Sequence, residues 1–184
     1  MPSWSVWSSV SPSTTPNVLS CHPLVVPSYR STGSFGKRQE YIAVSELLRR
    51  GFDVYMTLVD DQQIDCVVRM EVDGRPIYVD VQIKARSTSA AQPGTFAAMT
   101  VRHPRPNFMF VFYSEGADAY WVMPSLDLVE QATMNKNGIN RGKYSIVFTN
   151  TRSDGRALPR PRFDSWKENW EAFTRMAAEL AADP

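Results

Sequence analysis

Four side chains in the first half of the chain carry groups suited to one kind of chemistry. Asp65 interrupts the apolar run Ile64-Asp65-Cys66-Val67-Val68, Gln82 and Lys84 stand two residues apart in Val81-Gln82-Ile83-Lys84, and Glu40 lies upstream. A hard cation such as Mg²⁺ takes oxygen donors in octahedral geometry and usually needs only one or two carboxylates, with water completing the shell. Hydrolysing a phosphodiester calls for such a cation, to offset developing charge and activate water, and for a group that favours negative charge on the reacting oxygens. An acid or two, one further oxygen donor and an ammonium make up the minimal set, and Asp65, Gln82, Lys84 and Glu40 supply it.

The elements around these residues must bring them together. Strand alternation over residues 77–85 puts Asp80, Gln82 and Lys84 on one face and Val79, Val81 and Ile83 on the other. Asp73-Gly74 is a strong hairpin signal. It folds a strand over 64–70 back on the strand over 77–85, which lays Asp65 close to Gln82. Upstream, Tyr41, Val44, Leu47 and Leu48 form a helical stripe in a helix predicted over about 37–50, opened by Gly33-Ser34-Phe35-Gly36 and stopped by Gly51. Glu40 reaches the same place if that helix packs across the sheet. A surface strand with ordinary polar residues also accounts for the polar row, but it leaves Asp65 in an apolar strand unexplained. Asp80 shares the face of Gln82 and is the alternative acid if the register differs.

The rest of the chain reads as framework. Residues 52–56 form a strand, a further strand falls near 96–101, and the continuous apolar run Phe108-Met109-Phe110-Val111-Phe112-Tyr113 predicts a fully buried one. A returning strand follows at 119–123, then a short helix from Pro124-Ser125 through Leu126, Leu128 and Val129. A last strand is expected at 144–149, and a C-terminal helix with Trp166, Trp170, Phe173 and Ala177 as its apolar face. The order helix, three strands, two strands, helix predicts one mixed α/β or α+β domain over residues 33–184, with no internal repeat. Residues 1–32 are rich in Ser and Pro, show no periodicity, and read as an irregular extension without chemistry.

Composition narrows the partners without naming one. The chain has 184 residues and a net charge of +1, so any attraction for phosphate has to come from local clusters of Lys and Arg. Lys37, Arg86, His103 and Arg105 are the candidates nearest the proposed centre, and Arg152, Arg156, Arg160 and Arg162 form a separate basic segment that suits either a DNA backbone or a solvated loop. Two cysteines, Cys21 and Cys66, make neither a disulfide framework nor a four-thiolate zinc site, and Cys66 reads as a buried inert thiol. No run is long enough to span a membrane and no signal-peptide pattern opens the chain, so a cytoplasmic location is expected.

Ile64-Asp65, a hairpin, then Gln82-Ile83-Lys84, preceded by a helix containing Gly36-x-x-x-Glu40, resembles the PD-(D/E)XK nuclease superfamily over about residues 33–125. The likeness is greatest to the branch that reads Q-x-K, as in certain group I intron homing endonucleases and resolvase-like proteins. The resemblance implies a restriction-endonuclease-like core, a central mixed β-sheet flanked by helices. It also implies a metal-dependent DNA endonuclease using Mg²⁺, with Mn²⁺ as a substitute. On that pattern Glu40, Asp65 and Gln82 hold metal and Lys84 orients water or stabilises charge. Ile64 stands where the family has proline, and the neutral amide of Gln82 leaves metal affinity resting on Asp65 and Glu40. By analogy, cutting both strands makes a homodimer the expected assembly. A non-catalytic DNA-binding or assembly module on the same fold is the alternative.

Overall fold

A computed structural model describes residues 31–59, 62–90, 92, 94–151 and 156–182. Almost all of the expected N-terminal extension, with Cys21, lies outside the described residues, as does Arg152. Helix α1 (Thr32–Arg49) begins earlier than its apolar stripe suggests, because Ser31 and Ser34 form a reciprocal capping box. Ser31 and Thr32 therefore belong to the helix, not to the extension. Its buried face is Gln39, Ala43, Val44 and Leu47, while Tyr41 and Leu48 are 60% and 54% exposed. The expected stripe is thus rotated; the small Ala43 lets the helix approach the sheet, and a polar residue, Gln39, occupies an inward position.

Five strands make the central sheet. β1 (Asp53–Met56), β2 (Cys66–Val72) and β3 (Arg75–Arg86) run as an antiparallel meander. Asp73 and Gly74 both take positive φ, 51° and 75°, the type I′ geometry that matches strand twist. A crossover connection containing β4 (Thr95–Met99) leads to β5 (Phe108–Ser114), which pairs parallel with β3, and β6 (Ala119–Pro124) returns antiparallel. The order is β1-β2-β3-β5-β6, so β3 and β5 lie inside the sheet. Helix α2 (Ser125–Gln131) follows. A second sheet joins β4, β7 (Thr133–Met134) and β8 (Tyr144–Val147), and β9 (Thr149–Thr151) pairs with β10 (Ala157–Pro159). The strand expected at 144–149 is thus two strands.

The single C-terminal helix expected from the tryptophans divides as well. A 3₁₀ turn covers Pro161–Trp166, Glu168 takes a positive φ of 51°, and helix α3 starts only at Glu171 and ends at Ala182. Trp166 packs against one core and Trp170 is buried in the other. Those two cores lie on opposite faces of the central sheet. Val79, Val81, Ile83, Met109, Val111 and Val122 point toward α1 and α3, whose Leu47, Phe173 and Met176 cover them. Phe108, Phe110, Phe112, Trp121 and Met123 point toward the second sheet, α2 and the 3₁₀ turn, meeting Phe96, Leu128, Phe148 and Phe163. The chain is a mixed α+β domain with a central mixed sheet flanked by helices, as the sequence predicts.

Candidate active site

Asp65 sits where two strands part. The β2–β3 ladder ends at the Cys66–Val81 pair. Beyond it, the carbonyl of Asp65 turns to β1, accepting from the amide of Thr57 at 3.3 Å and from its hydroxyl at 3.2 Å. The amide of Ile83 would then lack a ladder partner, an expensive loss in a buried strand. The Asp65 carboxylate fills the place, with Oδ2 accepting from Ile83 N at 2.6 Å. Asp65 is 6% exposed. A charged residue interrupts the apolar run because this is the one point where a side chain must finish the ladder.

Gln82 is the residue on the N-terminal side of that amide, and it is 1% exposed. Its Oε1 is buried without a hydrogen-bond partner among the described residues. Buried polar atoms are nearly always paired, since an unsatisfied acceptor costs roughly 1–3 kcal/mol. Lys84 follows two residues later and is half-buried. No hydrogen bond or ion pair to a described residue engages its ammonium. Pairing in register with Phe110 and Phe112 puts Gln82 and Lys84 on the aromatic side of the sheet.

Glu40 approaches from the other side, on α1. Its carboxylate accepts from the ammonium of Lys37, one turn earlier. Lys37 is held in its charged form above the usual lysine range, first by that hydrogen bond and further by the charges of Glu40 and Asp65. The Cys66 thiol is pushed up to about 12, chiefly by burial and then by Asp65 and Glu40. Both Lys37 and Cys66 thus feel the two carboxylates, and Cys66 is the inert buried thiol its setting predicts. Among the described residues no three His, Cys, Asp or Glu side chains gather as a metal cluster. The donor set is two carboxylates and an amide, which suits a hard cation that keeps much of its water. Gln82, whose Oε1 is orphaned, precedes in sequence the residue whose amide Asp65 binds, and an amide oxygen suits that role.

The remaining candidates separate. Asp80, weighed as an alternative acid, is bound to Arg105 at 2.6 Å. Arg86 donates its Nε to the carbonyl of Thr95 at 2.7 Å. Arg160 and Arg162, from the basic segment, bind the carbonyls of Val147 and Gln131 and lie over the Phe163 ring, so they fasten the aromatic core. Sequence reasoning passed over Gln39, which is buried beside Glu40 and donates to Glu115 at 2.8 Å, while Glu115 accepts from the amide of Thr88. No local signal marked it, because the apolar stripe of the sequence points to a different side of α1 from the one the sheet covers. It also passed over Ser125, fully buried, whose hydroxyl both accepts from the amide and donates to the carbonyl of Arg105.

The fold is similar to that of a solved bacterial homing endonuclease, with 22% identity, a TM-score of 0.56, and 84% of this chain superposed on 99% of that one. At that identity the likeness is one of fold. A nuclease from a fusselovirus also aligns, over 86% of this chain and all of its own, with 12% identity and a TM-score of 0.47. No family model and no curated protein sequence matches the chain. No described helix is long and apolar enough to cross a membrane.

Proposed function

We propose that this protein is a metal-dependent DNA endonuclease of the PD-(D/E)XK type, in its Q-x-K form. The observation that supports it most is the pairing of a buried carboxylate, Asp65, lodged on the amide of Ile83, with the unpartnered Oε1 of the adjoining Gln82. An apolar side chain at 82 would serve the core better, so the buried amide calls for a ligand. Asp65 and Gln82 would hold a Mg²⁺ ion, with Glu40 acting behind Asp65, directly or through water. The ion would supply charge neutralisation and an activated water.

Lys84 then has a defined task. Its ammonium donates to an oxygen of the scissile phosphate, where charge develops, and so contributes to the transition state more than to substrate binding. Ile83, between the two, faces the helices and fixes the register that aims both neighbours the other way. Gln39 and Glu115 hold α1 against the ends of β3 and β5, which sets the depth of Glu40.

Incubating supercoiled plasmid with the protein, with Mg²⁺, Mn²⁺ or excess EDTA, tests the reading. Nicking or linearisation with either metal and none with EDTA is the expected result. DNA binding without cleavage under every metal condition, on duplex, single-stranded and branched substrates, would favour a non-catalytic binding module.

A further inference from the structure

Next to the proposed centre lies an open pocket of about 580 Å³, walled by Gln62 and Ile64 on one side and by Asp80, Arg102, His103 and Arg105 on the other. Ile64 directly precedes Asp65. Asp80 stands two residues before Gln82 on the same face of β3, about 7 Å along the strand. That is on the order of the distance between successive phosphates of one DNA strand. The pocket therefore starts one nucleotide from the place where cleavage is proposed to occur.

Arg105 is held there far more firmly than a surface arginine needs to be. Its backbone amide and carbonyl are both bound by the buried hydroxyl of Ser125. Its guanidinium donates to Asp80 at 2.6 Å and to the carbonyl of His103 at 3.0 Å, and lies 4.5 Å from the centroid of the Phe108 ring. Its side chain still keeps 30% of its surface in solvent. Five N–H donors are available on a guanidinium, so donors are left over after these contacts. The loops at the mouth are also fixed at some cost: Gln63 and His103 both take left-handed φ, 62° and 48°, and the amide of Arg102 donates to Oε1 of Gln63, tying one wall to the other. Strain of this kind collects where geometry is functional.

We propose that this pocket is a subsite for the DNA-backbone phosphate adjacent to the scissile one, with Arg105 as its ligand and Asp80 as the residue that positions Arg105. The inference rests on the endonuclease reading and adds to it a fixed register: the strand enters over Arg105 and is cut over Gln82. Recognition of this kind is independent of sequence and sets position, not specificity. Planar, pre-aimed donors suit a phosphate, and lysine would not reproduce them.

The test measures binding of a fluorescein-labelled DNA duplex, with Ca²⁺ in place of Mg²⁺, across a series of salt concentrations. Arg105→Ala is expected to weaken binding on the order of tenfold and to make the plot of log Kd against log salt shallower by about 0.9, the loss of one phosphate contact. Asp80→Asn keeps the positive charge, so the slope should hold while cleavage slows. Replacing the phosphate next to the cut by an uncharged methylphosphonate should weaken the parent and leave Arg105→Ala indifferent. An unchanged salt slope in Arg105→Ala with a lowered Tm would reduce Arg105 to a loop fastener and overturn the subsite. Equal weakening of parent and variant by the methylphosphonate would overturn it too. If the parent cleaves and Arg105→Ala binds as well as the parent, the subsite fails alone. If no metal supports cleavage but the slope still falls, Arg105 contacts a DNA phosphate, but the endonuclease reading fails and the placement of that phosphate beside a cut is overturned with it.

Discussion

The two faces of the central sheet are built from different materials. The helix-covered face is mostly aliphatic, with Val79, Val81, Ile83, Val111 and Val122 meeting Ala43, Leu47 and Met176. The opposite face is mostly aromatic: Phe112 lies 4.9 Å from Phe96 and 5.0 Å from Phe148 by ring centroids, and Trp121 stacks on Phe148 at 4.7 Å. Aliphatic side chains repack around small changes, whereas ring pairs fix distance and angle. The polar row of β3 runs along the aromatic face. The chemistry proposed for that row is thus laid beside the stiffer of the two cores, and the more forgiving one serves the helices.

Three substitutions test this division, in order of expected size. Phe112→Ala removes a fully buried ring from the aromatic core and should cost about 3–5 kcal/mol, read by urea unfolding; a loss of less than about 1 kcal/mol would show that the aromatic face relaxes as readily as the aliphatic one. Lys84→Ala should slow cleavage by ~10²-fold or more, about 2.7 kcal/mol of transition-state stabilisation. Its DNA affinity and Tm should scarcely change, since the side chain is only half-buried and no described residue binds its ammonium. Cleavage equal to the parent would remove Lys84 from the mechanism.

The stability change expected at Gln82 is small but the sharpest in sign. Gln82→Leu takes an unpartnered acceptor out of the core. It should leave stability unchanged or raise it by about 1 kcal/mol while cleavage is lost. A variant that is both less stable and fully active would show that the amide serves the fold instead.

Much of this was legible in the sequence, because the local signals agreed with one another. Asp73-Gly74 fixed the hairpin, alternation fixed the faces of β3, and the apolar run from Phe108 placed a buried strand, all of which the fold contains. The errors share a physical cause: each depended on a partner distant in sequence. Tyr41 and Leu48 fit a helical stripe, but which side of α1 faces inward is decided by the sheet it meets. Trp166 and Trp170 share a helical spacing, yet they are claimed by cores on opposite faces of the sheet. Asp80 looked like a spare acid until Arg105, 25 residues on, took its carboxylate. Asp65 was visible as an anomaly, but its bond to the amide of Ile83 follows from where the ladder ends, which no local pattern states.

The type I′ turn at Asp73-Gly74 also sets an order of assembly. A hairpin closed by two residues forms on the order of microseconds, before the parallel pairing of β3 with β5, which must wait for the long crossover between them to close. Asp65 and Gln82 are brought face to face by that first event. Glu40 and Arg105 reach them only when the helix and the crossover dock. The proposed centre is therefore assembled around its hairpin, and a chain interrupted early in folding holds Asp65 and Gln82 without the groups proposed to aim them at a substrate.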